Sequence, residues 1–163
     1  MTPPPHGGEA REGDRFHGPV EQVHAGRETE TAMLTREDIQ SFLDRIEDGT
    51  VEVTELEPGL WRARTQTGAE FIVHYAPPVV ILRVRVMEPP TSDEKKSGLY
   101  RQLLEFNARD LVHGSYGLEG EHIVLTDALE LANLDFSEFE ASWDSLNLAL
   151  ASHLSALAPF RER

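Results

Sequence analysis

The first regular pattern of apolar residues along the chain has the spacing of a helix. In the segment LTREDIQSFLDRIEDG the apolar residues recur at intervals of three and four: Ile39, Phe42, Leu43 and Ile46. Thr35 is suited to cap this helix, because Asp38 occupies the third helical position and the two side chains can bond to each other's backbone. We expect the helix to begin after Thr35 and to end near Gly49.

From Val51 to Met87 the apolar period changes to two, which is typical of strands. Three turn or break signals interrupt this segment: Pro58-Gly59, Thr67-Gly68 and Pro77-Pro78. They separate the runs VEVTELE, LWRARTQ, AEFIVHYA and VVILRVRVME. Short strands joined by tight turns predict an antiparallel meander of three or four strands.

The last of these strands has two unlike faces. One face is apolar and comprises Val80, Leu82, Val84 and Val86. The other combines apolar and cationic residues and comprises Val79, Ile81, Arg83, Arg85 and Met87. Half-exposed strands also carry such residues without binding anything, so the pattern leaves both interpretations open. Our candidate surface for a partner or for dimerisation is this mixed face.

The second half of the chain predicts two further helices. LYRQLLEFNARDL places Leu99, Leu103 and Phe106 on one stripe, and the preceding EPPTSDEKKSG is either a loop or the polar start of that helix. After Asp135, which is a good capping residue, apolar residues repeat at intervals of four and three as far as Pro159.

Between these helices, LVHGSYGLEGEHIVLTDALEL predicts a hairpin. Opposing Leu118 to Ile123 and Tyr116 to Leu125 makes apolar cross-strand pairs around the loop EGEH, and a shorter loop ending near Gly120 also fits. The whole pattern predicts an α+β domain in the order α-β-β-β(-β)-α-β-β-α. We expect an antiparallel sheet of about five strands, with three helices packed mainly on one face.

Residues 1–33 differ from the rest of the chain. They are rich in Pro, Gly, Glu, Arg and His, and their apolar residues, such as Phe16 and Val20, are isolated. Such a segment buries too little apolar surface to offset the entropy of ordering. We expect a disordered N-terminal tail, or else a peptide that folds on a partner, followed by one domain over residues 34–160.

Composition limits the partners and the compartment. The net charge is −14 and the 15 Lys and Arg residues form no dense run, so nucleic acid and anionic membranes are poor partners. Without cysteine the chain has no disulfide, thiolate nucleophile or sulfur-bound zinc. The N-terminus does not resemble a signal peptide, and no apolar window approaches the length of a membrane span. We therefore expect a cytoplasmic protein.

The histidines offer little catalytic chemistry. In any register of the hairpin, His113 and His122 lie on the order of 10 to 20 Å apart, which is too far to share a metal, although either one alone remains a potential ligand. His74 alternates outward in a strand, and His153 falls on the apolar stripe of the last helix. An enzyme would need His74, His113 or His122 to meet a carboxylate in a pocket. We expect no catalytic residue, metal or cofactor.

The order of elements resembles the fold of the type III secretion chaperones, which are small acidic dimers that hold effector proteins. Within that fold the second half of the chain resembles the YbjN-like family. The segment that carries this resemblance is LLEFNARDLVHGSYGLEGEHIVLTDALELANLDFSEFEASWDSLNLALASHL. It combines a Leu-rich helix ending in FN, the hairpin YGLEGEHIVL, and LANLDFSEFEASW leading into the final helix. The similarity spans residues 34 to 158 and is most specific from residue 99 onward.

The resemblance implies a non-enzymatic, chaperone-like domain that forms a homodimer and binds a segment of another protein. Secretion chaperones hold that segment extended in apolar grooves or add it to the sheet as a strand. The alternative on the same fold is a regulatory or sensory domain that binds a small ligand or a signalling protein. The long polar N-terminal tail is a departure from a minimal secretion chaperone, and it leaves a dedicated role in export open.

Overall fold

The structure is a computed structural model that describes residues 32–162. Of the predicted tail, residues 1–33, only Ala32 and Met33 fall within this range, and Met33 forms an isolated bridge with Ala132. The remaining residues of that predicted tail lie outside the described part of the chain.

The elements follow one another in the predicted order. They are α1 Arg36–Ile46, β1 Val51–Glu57, β2 Leu60–Thr65, β3 Glu70–Ala76, β4 Val79–Met87, α2 Asp93–Arg109, β5 Ser115–Glu119, β6 His122–Glu130, α3 Phe136–Leu157 and a 3-10 turn at Ala158–Phe160. All six strands pair antiparallel, in the order β1-β2-β3-β4-β6-β5. The predicted α+β class is confirmed, with six strands instead of about five because the meander contributes four.

Capping residues fix where the first and third helices begin. Thr35 accepts from the Asp38 N–H at 3.3 Å, and the Asp38 carboxylate accepts from the Thr35 N–H at 2.8 Å. Asp135 and Glu138 make the equivalent reciprocal pair at the start of α3. The helix α1 ends earlier than predicted, at Ile46, whereas Gly49 adopts a positive φ of 82° in the turn that leads into β1.

The helix α2 begins at Asp93, so the polar segment EPPTSDEKKSG is divided: residues 88–92 connect β4 to the helix, and residues 93–98 form the first turns of the helix. The hairpin has the predicted register, with Leu118 opposite Ile123 and Tyr116 opposite Leu125. In this register Glu119 also pairs with His122, so the loop EGEH narrows to Gly120 and Glu121.

The core lies on one face of the sheet, beneath all three helices. Buried residues from alternate positions of the strands pack there against buried residues of the helices. Phe71 and Trp143 have ring centroids 4.4 Å apart, and Trp61 is fully buried with its indole N–H donating to Gln40 at 2.6 Å. Both tryptophans therefore fill the core.

Candidate partner-binding surface

The other face of the sheet carries no helix among residues 32–162, and we call it the open sheet face. Ile81 of β4 lies at its centre, opposite His74 of β3 and Ala128 of β6. Arg83, the next outward residue of β4, lies opposite Ile72 and Thr126. The outward residues at the middle of the sheet are half-buried by their neighbours: Leu60, Arg62, Ile72, Val79, Ile81 and Arg83.

Four arginines of β2 and β4 stand on the open sheet face: Arg62, Arg64, Arg83 and Arg85. Arg83 binds Glu119 at 2.7 Å, and Arg64 binds Glu70 across the β2–β3 pair. The hydrogen bond from Arg64 lowers the pKa of the Glu70 carboxyl below its usual value. Within residues 32–162, Arg62 and Arg85 have no carboxylate close enough for an ion pair. The open sheet face therefore presents apolar surface between guanidinium groups.

Four of the five predicted surface residues lie on the open sheet face: Val79, Ile81, Arg83 and Arg85. The expectation that Met87 shares this face is wrong. The β4–β6 register shifts between Arg85 and Met87, so the extra residue, Val86, reverses the alternation. Met87 consequently points into the core, where it is only 9% exposed.

Arg62 and Ile72 belong to the same surface and were missed from the sequence. Both alternate outward within their strands, but the sequence does not show which strands become neighbours. The observed registers place Arg62 opposite Ile72 and Ile72 opposite Arg83. Cross-strand neighbours of this kind lie within contact distance of one another, so the three strands form one continuous surface.

The histidines fall into separate surroundings. His122 Nε2 lies 3.3 Å from Glu88 Oε1, and His113 Nδ1 lies 3.8 Å from Asp127 Oδ2. His74 is exposed on the open sheet face. Among the described residues no group of His, Asp and Glu side chains is arranged to hold a metal ion.

A serine, an aspartate and a histidine do meet beneath α3, but in an order that does not activate the serine. The buried Ser142 hydroxyl donates to Asp127 at 2.6 Å, and Asp127 is also the neighbour of His113. In a hydrolytic triad the histidine stands between the serine and the carboxylate and removes the serine proton. Here the carboxylate stands in the middle, so the cluster joins α3 to β6 and does not create a nucleophile.

His153, which lies on the apolar stripe of α3, is part of the core. It is 6% exposed, stacks on Phe106 at 3.7 Å between ring centroids, and bonds through Nδ1 to the Tyr116 hydroxyl at 2.8 Å. Burial lowers the pKa of His153, against a smaller opposing effect of Asp110, and burial raises the pKa of Tyr116 to about 12. The neutral forms are therefore the stable ones in this cluster.

The outer side of α2 provides a second candidate surface. An open groove of about 690 Å³ runs along it, and Leu104 within this groove is 67% exposed beside the half-buried Tyr100. An exposed leucine next to an aromatic ring is suited to apolar contact with another protein surface. None of the helices within residues 32–162 is long and apolar enough to span a membrane.

Comparison with known proteins identifies the family and the fold. The family model CesT_Tir_1 matches residues 33–163. Among solved structures, the heterodimeric ExoU–SpcU complex from the type III secretion system of Pseudomonas aeruginosa superposes with a TM-score of 0.56 and 17% identity, over 76% of this chain and 98% of that chain. YbjN from E. coli superposes with a TM-score of 0.56 and 9% identity, over 77% of this chain and 96% of the YbjN chain. No curated protein matches significantly.

At these identities the two structural neighbours establish the fold. The family model covers most of the chain, so its match establishes the family. The chain belongs to the CesT_Tir_1 family of type III secretion chaperones and has the fold that those chaperones share with YbjN.

Proposed function

We propose that this member of the CesT_Tir_1 family is a non-enzymatic, chaperone-like cytoplasmic protein that forms a homodimer and binds a segment of a partner polypeptide on its open sheet face. The observation that supports the proposal is the composition of the open sheet face. A continuous row of aliphatic and arginine side chains runs across β2, β3 and β4 on the side of the sheet that carries no described helix. Contiguous apolar surface rimmed by polar groups is typical of protein interaction sites.

The chemistry of this face suits an extended polypeptide. The half-buried Ile72, Val79 and Ile81 offer apolar area, which stabilises a complex by about 25 cal/mol for each Å² removed from water. Arginine adds donors that can bind backbone carbonyls and carboxylates of the partner. A structural neighbour with this fold belongs to a heterodimeric complex, ExoU–SpcU from a type III secretion system, which supports a protein partner here as well.

A homodimer needs a second apolar surface, and we assign it to the groove along α2. Leu104 is the most exposed large apolar residue of that helix, and the groove lies on the outer side of α2, away from the core. This assignment leaves the open sheet face of each copy accessible to the partner.

Two matched variants test the two surfaces separately in the full-length protein. Ile81→Asp should abolish capture of the partner and leave the molecular mass measured by light scattering at that of a dimer. Leu104→Asp should convert the dimer to a monomer. Both side chains are solvent-accessible, so both variants should fold, which circular dichroism can check. A strict monomer whose Ile81→Asp variant still captures every partner would contradict the proposal.

The α2 groove also favours one alternative function, a regulatory or sensory domain that binds a small ligand. A groove of about 690 Å³ falls within the size range of ligand sites, although it is open and partly charged. The alternative predicts that a metabolite raises the unfolding temperature and that Leu104→Asp removes this effect. Pull-downs from lysate would then return no protein.

A further inference from the structure

The open sheet face gathers positive charge in a protein that is otherwise strongly acidic. The chain carries 29 Asp and Glu residues against 15 Lys and Arg residues, yet four of its arginines stand together on β2 and β4. These two strands flank β3 in the sheet, so the cluster arises from folding and not from a run in the sequence. A local excess of cations on an acidic molecule favours contact with a negatively charged group.

Two of the four arginines are already neutralised within the chain, and two are not. Arg64 and Arg83 each bind a glutamate of the same face, at 2.7 Å in the case of Arg83. Arg62 and Arg85 have no carboxylate within ion-pair distance among residues 32–162. The positive charge that a partner can use is therefore that of Arg62 and Arg85.

Both of these arginines lie beside apolar neighbours. Arg62 is half-buried and stands opposite Ile72. Arg85 stands opposite Val124, which is only 7% exposed although it is not part of the core, so side chains of the open sheet face cover it. The aliphatic stem of an arginine can cover such a neighbour while its guanidinium group stays in water. A carboxylate binds more strongly in these partly apolar surroundings than on an open polar surface.

The strand geometry fixes the spacing of the two unpaired arginines. Arg62 is level with Arg83, because both lie opposite Ile72, and Arg85 follows two residues further along β4. Two strand spacings across and two residues along place the Cα atoms of Arg62 and Arg85 on the order of 12 Å apart. Residues four positions apart in an extended chain are separated by about 13 Å, and the residue midway between them points to the same side. Two acidic residues at this spacing can therefore meet both arginines, with an apolar residue between them near Ile72.

The surroundings of the arginines favour a peptide over a nucleic acid. Three carboxylates stand on the same face, those of Glu52, Glu70 and Glu119. They would repel a continuous phosphate backbone, as would the net charge of −14. The half-buried Ile72 and Ile81 offer apolar contacts that suit side chains and not phosphates. A peptide with two separate carboxylates can reach both arginines and place apolar residues on the isoleucines.

We propose that the open sheet face selects an acidic partner segment, in which two carboxylates flank an aliphatic residue and bind Arg62 and Arg85. The inference deepens the proposed function and rests on it, because it names the chemistry of the polypeptide that this face accepts. The aliphatic residues of the face contribute buried apolar area, and the two arginines decide which sequences fit. A basic segment, which the net charge of −14 would attract elsewhere on the molecule, is repelled here.

Synthetic peptides can test this with the full-length protein. The probe is the capped peptide VTETVTETV, and its matched control has glutamine in place of both glutamates. Calorimetry should show at least about tenfold weaker binding of the glutamine peptide, because two charge-assisted contacts are lost. Raising the salt concentration should weaken the glutamate peptide and leave the glutamine peptide unchanged. Backbone amide NMR should show shifts at Arg62, Ile72 and Arg85.

Variants of the protein provide the matched controls. Arg62→Gln and Arg85→Gln should each weaken the glutamate peptide by about threefold or more and leave the glutamine peptide unchanged. Lys95→Gln removes the same charge from an exposed position in the first turn of α2 and should change neither affinity. The double variant Arg62→Glu/Arg85→Glu should bind a peptide with lysine at both glutamate positions better than the unmodified protein does. Such a gain of binding cannot result from misfolding.

The inference is overturned if neither peptide binds, if the two peptides bind equally well, or if Lys95→Gln weakens the glutamate peptide as much as the arginine variants do. Tighter binding of a nine-nucleotide thymidine oligomer would also overturn it, because the arginines would then bind phosphates. Equal affinities with amide shifts at Ile72 and Ile81 would leave the proposed function standing, since they would locate binding on the open sheet face without selection by charge. Failure of the proposed function is recognised separately, by partner capture that survives Ile81→Asp.

Discussion

The two faces of the sheet are made of the same strands but differ in burial and in composition. On β4, Leu82 is fully buried beneath the helices, whereas the adjacent Ile81 is half-buried on the open sheet face. The covered face is filled by aromatic and aliphatic side chains, and the open face mixes aliphatic residues with arginine. The difference shows that strand alternation alone allows one element to fill the core on one side and to expose aliphatic and cationic side chains on the other. Variants matched across the two faces can measure that difference.

The largest effect is expected for Leu82→Ala on the covered face. Leu82 is 0% exposed, so its truncation leaves a cavity among close-packed neighbours. The free energy of unfolding should fall by about 2 to 5 kcal/mol. Urea denaturation followed by tryptophan fluorescence measures this, and a loss below about 1 kcal/mol would show that the covered face is loosely packed.

The second largest loss of stability is expected for Gly114→Ala, because this glycine lies beneath α3. A Cβ there would lie 2.7 Å from Leu146 Cδ2 and 2.9 Å from the Thr126 carbonyl, at a φ of +74°. We expect a loss of about 2 to 4 kcal/mol from the clash and the backbone strain together. Gly120→Ala, in the hairpin turn with no atom within 4 Å, is the control and should lose only about 1 kcal/mol. Equal losses would contradict the close approach at Gly114.

The third effect is a dependence of stability on pH that arises on the covered face. Burial lowers the pKa of His153 in the folded protein, so the unfolded chain binds more protons as the pH falls through about 6.5. Stability should therefore decrease as the pH falls from 7 to 5. His153→Gln, which keeps an acceptor for the Tyr116 hydroxyl, should flatten this dependence in thermal unfolding. An unchanged slope would assign the effect to other groups.

The smallest effect is expected for Ile81→Ala on the open sheet face. Ile81 retains solvent contact, so its truncation leaves no enclosed cavity, and the free energy of unfolding should change by less than about 1 kcal/mol. Comparison with Leu82→Ala in the same denaturation assay gives the ratio of the losses in free energy of unfolding on the two faces. A loss as large as that of Leu82→Ala would mean that the open sheet face is covered in solution.

Local features of this chain could be predicted from the sequence because they depend on residues that are close to one another along the chain. The reciprocal caps at Thr35 and Asp135 depend on residues three positions away, and both formed as predicted. The hairpin pairing of Tyr116 with Leu125 depends on alternation across a short turn, and it also formed. The placement of Met87 could not be predicted in this way. A single bulge after Arg85, for which the local sequence has no signal, places Met87 in the core and not on the predicted surface.

By itself, the sequence determined the order of the elements, the α+β class and the acidic character, because these follow from periodicity, capping and composition. Only the tertiary structure decided which residues meet across strands, as with Arg62, Ile72 and Arg83. It also decided that Asn107 of α2 reaches the backbone of Tyr116 in β5. Pairing partners and edge contacts depend on long-range packing, and residues that are distant along the chain leave no periodic signal of their meeting.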